Sequence, residues 1–146
     1  MHNKKIIFSI YLFVLIVFII VKFNGSINDL INQVNTIRWN RTFGIWNANL
    51  IPFRTITDLV KHMHSMWAIK SLLANIIAFI PWGFFLPHLY KRYYKFVRFL
   101  FLSFIFVVFI ELFQFITMLG YFDIDDILLN LTGCLIGYLI NFLLLH

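Results

Sequence analysis

The chain has 146 residues, 62% of them hydrophobic and only 12% charged, with a formal net charge of +6. A soluble globular chain is about 45–50% apolar and about 25% charged, so a water-soluble domain of this length is excluded and lipid is the expected solvent. The basic residues flank apolar runs, which points to anionic headgroups and topology rather than nucleic acid, and a single cysteine, Cys134, excludes an intrachain disulfide.

A hydrocarbon core of roughly 30 Å needs about 20 mostly apolar residues as a helix. The first candidate span is residues 6–23, behind Lys4 and Lys5. Its apolar run is long for a signal-peptide core, and "KFNGS" is a poor cleavage site, so it reads as a retained helix. Residues 24–68 follow as a long outer loop. Within it "SINDLINQVNTIRW" sets Ile27, Leu30, Ile31, Val34 and Ile37 at helical spacing, with Ser26 and Asp29 placed as a cap pair. "TDLVKHMHSMW" sets Leu59, Met63 and Met66 on one side. Both are expected as short amphipathic helices lying on the outer membrane surface, with "NANLIPFRTI", 47–56, as a loop between them. His62 and His64 read as solvent-exposed rather than as metal ligands, and the Asn24 and Asn40 sequons as chance matches.

Three further spans are expected at 69–90, 97–119 and 124–145. The second contains Pro81, Gly83 and Pro87, which a membrane helix tolerates where neighbours satisfy the freed carbonyls. The loop "KRYYKFVR", 91–98, carries four bases and no acid, which assigns it to the cytoplasm together with both chain ends. The expected fold is an all-α polytopic membrane protein, one domain over 1–146, built as a four-helix transmembrane bundle.

Half of the six acids stand at the start of the last span: Asp123, Asp125 and Asp126. Helix capping and the helix dipole are one account of all three. The deeper polar residues need another. Counting about 1.5 Å per residue from the turn near Tyr121, Asp126, Asn130, Gln114, Glu111 and Asn75 fall at similar levels in the outer leaflet, with Glu111 deepest. An acid near a helix centre costs about 2.5–3.5 kcal/mol, and no Lys or Arg occurs from Phe99 to Leu145. A cationic partner must come from Arg54, Lys61, Lys70 or a ligand, unless a neutral Glu111 bonds Gln114 or Asn130. On the last span Asp126, Asn130, Gly133, Gly137 and Asn141 share one stripe, so polar and close-packing faces coincide. Cys134, in the same run, reads as a buried thiol.

The blocks "NLIPFRTI" (49–56), "NIIAFIPWGFFLP" (75–87) and "ELFQF…FDIDDILLNLTGCLIGY" (111–138) resemble the VanZ-like family of small bacterial membrane proteins, whose founding member is associated with teicoplanin resistance. The resemblance covers about residues 47–140. It implies functional weight for Asn49, Pro52, Phe53, Asn75, Pro81, Gly83, Glu111, Gln114, Asp123, Asp125, Asp126, Asn130, Gly133 and Gly137. The family often carries an Arg shortly before its Asp-rich motif, where this chain has "LGYF". Read with the polar residues, it implies a protein of the bacterial cytoplasmic membrane. Its outward cleft, formed by Asn49, Arg54, Asn75, Glu111, Gln114, Asp123, Asp125, Asp126 and Asn130, binds an envelope lipid headgroup, a lipid-linked wall precursor or the glycopeptide. Pro81, Gly83, Gly133 and Gly137 serve helix packing. No cofactor or metal is implied. An intramembrane enzyme acting on a lipid-linked or acyl substrate, and a structural or assembly subunit whose Gly133 and Gly137 face contacts another chain, are the alternatives.

Overall fold

The computed structural model describes residues 2–21 and 26–145. Among them are six α-helices: α1 (His2–Val21), α2 (Ile27–Thr42), α3 (Arg54–Lys61), α4 (Met66–Leu89), α5 (Phe96–Thr117) and α6 (Ile124–Leu145). A 3-10 turn, Lys91–Tyr94, joins α4 to α5, and two short strands, β1 (Ala48–Asn49) and β2 (Phe122–Asp123), pair in parallel. The helices α4, α5 and α6 are each long and apolar enough to cross a membrane. The expected end of the first span at Phe23, with Lys22 and the Asn24 sequon, lies outside the described residues.

The centre of the bundle is the contact between α4 and α6, which run in the same direction. Three glycines set their separation. A methyl group on Gly83 would overlap the Cys134 carbonyl, one on Gly133 the Ile76 carbonyl, and one on Gly137 the Ile80 carbonyl. Small residues let membrane helices approach to backbone contact, and both halves of the G-x-x-x-G pair are used within this chain. Cys134 is wholly buried in the same seam.

Pro81 and Pro87 both lie inside α4. Each removes a backbone donor, and the carbonyl beside each interrupted bond takes a donor from another helix. Tyr11 of α1 gives its hydroxyl to the Ala78 oxygen at 2.9 Å, and Asn141 of α6 gives its amide to the Phe84 oxygen at 2.9 Å. Helix α1 runs antiparallel to α4, with Phe8 5.9 Å from Trp82 and Lys4 beside His88. Helix α5 closes the other side: Trp82 stacks on Phe106 at 3.9 Å and donates to Ser103 at 3.1 Å.

Residues 26–65 form a cap over the end of the bundle that holds the α5–α6 turn. Ser26 caps α2 by accepting from the Asp29 amide. The inward face of α2 is offset from the expected stripe: Ile37 is buried and Leu30 and Val34 half-buried, but Ile27 and Ile31 are exposed. The stretch 47–56 is not wholly loop, since it contains β1 and the first turn of α3. Met63 falls in the turn before α4, which begins at Met66 rather than Ile69.

Candidate functional site

Helix α5 ends in the left-handed residue Met118, at φ 59°. The last carbonyls of a helix lack intrahelical donors and need partners from elsewhere. The cap supplies them. Arg41 donates to the Phe115 carbonyl at 2.5 Å, Gln33 to the Leu119 carbonyl at 3.1 Å, and Asn47 to the Gly120 carbonyl at 2.6 Å. Arg41 also forks onto the Asn47 side-chain oxygen at 2.9 and 2.6 Å and lies over the Trp46 and Phe115 rings. A base therefore does stand beside the base-free "LGYF" turn, contributed by α2. Its sequence distance from the turn hid it, as it hid Gln33 and Asn47; the three are polar residues in a segment that otherwise reads as surface.

The three aspartates have three different environments. Asp123 is the N-cap of α6: one oxygen accepts from the Asp125 amide at 2.9 Å, and the other from the Thr55 hydroxyl at 2.5 Å. Asn49, paired with Asp123 in the β1–β2 register, adds its amide at 3.2 Å. Asp125 is fully buried and caps a different helix. Its oxygens accept from the backbone amides of Phe53 (2.6 Å), Thr55 (2.8 Å) and Ile56 (3.1 Å) at the start of α3. Phe53, the N-cap of α3, has no side-chain capping bond and holds φ at 63°. That conformation costs an ordinary residue of order 1 kcal/mol, and Asp125 offsets it by satisfying the amide concerned. Asp126, about 100° further round the helix, accepts from Asn75 of α4 at 2.5 Å.

Deeper in, Glu111 of α5 is fully buried, accepting from Asn130 of α6 at 3.2 Å and, more weakly, from the Asp123 amide at 3.5 Å. The side-chain oxygens of Asn75 and Asn130 are buried with no hydrogen-bond partner. A cavity of about 330 Å³ lies over this group, lined by Gln33, Gln114, Gly120, Tyr121, Asp123 and Asp126. The structure thus brings Asn49, Asn75, Glu111, Gln114, Asp123, Asp126 and Asn130 into one connected region. It turns Asp125 toward α3. Arg54 lies outside the region, with Lys61, in a separate recess on the outer side of α3. Among the described residues no group of three or more His, Cys, Asp or Glu is placed to hold a metal ion.

The family model described as VanZ/LLP1 matches residues 8–145. The chain belongs to the VanZ/LLP1 family. The match takes in the whole polar region, the cap that closes it and most of α1, so the VanZ/LLP1 unit is the entire helical assembly rather than the last three helices alone. Neither the curated proteins nor the solved structures compared with the chain give a match.

Proposed function

We propose that this VanZ/LLP1 protein is a four-span component of the bacterial cytoplasmic membrane, with both chain ends in the cytoplasm and the cap outside. In this reading it binds the headgroup of an envelope lipid in the cavity above Asp126. The observation that carries the reading is a cavity rimmed by Gln114 of α5 and by Asp123 and Asp126 at the start of α6, directly over the buried polar side chains Asn75, Glu111 and Asn130. A buried polar atom left unsatisfied costs about 1–3 kcal/mol, and the two such atoms, on Asn75 and Asn130, lie beneath this polar rim rather than on it. The orientation follows from the four bases of 91–98, which belong on the cytoplasmic side.

A glycopeptide of the teicoplanin type acts on the same outer face, so occupancy of this cleft is the proposed link to resistance. Glu111→Gln and Asp126→Asn are introduced singly, membrane levels are matched, and glycopeptide susceptibility is measured in a host lacking the gene. The expected result is loss of protection in both. Protection unchanged in both variants at equal protein level would sink the reading. Self-association through the glycine face is not favoured, because that face is filled by α4 of the same chain.

A further inference from the structure

Arg54 and Lys61 take no part in the cavity over Asp126. They line a separate recess of about 640 Å³ on the outer side of α3, together with Phe53, Thr57 and Asp58. Arg54, Asp58 and Lys61 stand four and three residues apart, which puts them on one stripe of the helix. Asp58, the one acid lining the recess, has its carboxylate 3.4 Å from the His62 ring. Neither base makes a side-chain hydrogen bond or ion pair with any described residue. Two unpartnered bases against one acid, with the Thr57 hydroxyl between them, make a recess for an anion.

The position of α3 says which anion. Its start is tied to the first turn of α6, where Asp125 accepts from the amides of Phe53, Thr55 and Ile56. Its end is tied to the first turn of α4, where the His62 ring lies 5.6 Å from that of Trp67. Both α4 and α6 are long and apolar enough to cross a membrane, so α3 is held at the level where two spans begin. Tryptophan favours the headgroup level, and Trp67 is exposed there. The loop before α3 carries Leu50, Ile51 and Phe53, all exposed. Asn49 accepts from the Ile51 amide at 3.4 Å and Asp125 from that of Phe53. The loop backbone is thus pinned from within while three apolar side chains face out. Exposed apolar side chains beside unpartnered bases fit a phospholipid leaflet, which offers acyl chains to the first and phosphates to the second.

We infer that α3 and the loop before it form a phospholipid site in the leaflet that meets the cap. The lipid phosphate lies in the recess, between Arg54, Lys61 and the Thr57 hydroxyl, and Leu50, Ile51 and Phe53 enter the acyl region. Arg54 presents a fork that matches phosphate oxygens. Lys61 stands two turns on, about 10 Å along the axis, a separation that two side chains of this length close on one phosphate. The site is separate from the cavity over Asp126 and does not rest on the headgroup reading.

The test uses the full chain in nanodiscs of equal phosphatidylglycerol and phosphatidylcholine, with the lipids retained on release into detergent counted by native mass spectrometry. Both lipids carry the phosphate, and only phosphatidylglycerol carries net charge. A base at a membrane surface is worth about fivefold in affinity for anionic lipid. Arg54→Gln and Lys61→Gln should therefore each lower the phosphatidylglycerol preference about fivefold, and both positions are exposed, so the fold is kept. A spin label on Ile51→Cys, with Cys134 buried and out of reach, should meet dissolved oxygen more than an aqueous nickel chelate. Equal retention of the two lipids by the wild type, or a preference that survives both α3 changes together, overturns the inference. So does a label that meets the chelate first. Loss of the preference on adding excess inorganic phosphate assigns the recess to free phosphate and overturns the lipid. If Asp126→Asn abolishes the preference and the α3 changes do not, the anionic lipid sits in the cavity: the α3 site fails and the headgroup reading stands.

Discussion

Replacement of Asp125 by Asn probes whether the buried aspartate fastens the cap. In the wild type its two oxygens accept from three backbone amides, Phe53 on one oxygen, Thr55 and Ile56 on the other. Asparagine retains one acceptor. In the better orientation it keeps Thr55 and Ile56 and sets an NH₂ group against the Phe53 amide, donor against donor, at the residue whose backbone is already strained. One hydrogen bond to a charged group is worth about 1.5–3 kcal/mol, and removing the anion from the α3 N-terminus costs about 0.3–1 kcal/mol more. The sum, about 2–4 kcal/mol, corresponds to a rise of about 30- to 700-fold in local opening. Hydrogen–deuterium exchange of the peptide spanning 50–60 in nanodiscs reads this directly, with peptides from α5 and α6 as internal controls. Faster exchange confined to 50–60 is expected. Unchanged exchange there, or equal acceleration across the membrane helices, would refute the assignment of Asp125 as the fastener of α3.

Three other outcomes follow from the packing. Gly137→Ala forces a methyl into the Ile80 carbonyl and should cost about 1–3 kcal/mol, read as a lower midpoint in detergent-induced unfolding. Arg41→Lys keeps the charge but loses the fork that reaches both Asn47 and Phe115; quenching of Trp46 fluorescence by an aqueous quencher should increase, whereas no change would argue that the fork is not holding the turn. Cys134, wholly buried between α4 and α6, should resist a membrane-permeant maleimide in the native protein and react after denaturation, and rapid native labelling would contradict the α4–α6 seam.

Much of the helical plan was legible because lipid imposes a simple rule: a span must be long, apolar and internally hydrogen-bonded. The spacing of Asp126, Asn130, Gly133 and Gly137 likewise placed polar and small residues on one stripe of α6. The spacing of Ser26 and Asp29 announced the start of α2. The two functions of neighbouring aspartates were not legible. Asp125 and Asp126 are adjacent in the chain and turned about 100° apart on a helix, which says they differ but not what each meets. Asp125 meets backbone amides of α3, and backbone donors carry no mark in a sequence. The same holds for the donors that close the α5 C-terminus: Gln33, Arg41 and Asn47 lie some seventy to ninety positions from the carbonyls they reach, for example Gln33 to Leu119 with |i−j| of 86. Arg54 was the opposite case, near the right residues in sequence yet turned outward, because the first turn of α3 offers the acid its amides rather than its side chains.

Since glycine sits against carbonyl at three points along their seam, α4 and α6 behave as one plank with no slack for sliding or spreading. Asn75, Asp126 and Asn130 ride on that plank, whereas Glu111 and Gln114 ride on α5 and Gln33 on the lid made by α2. Widening the chamber to admit a guest therefore falls to α5 and the lid, and a crosslink between those two would lock the chamber while one between α4 and α6 would leave it working.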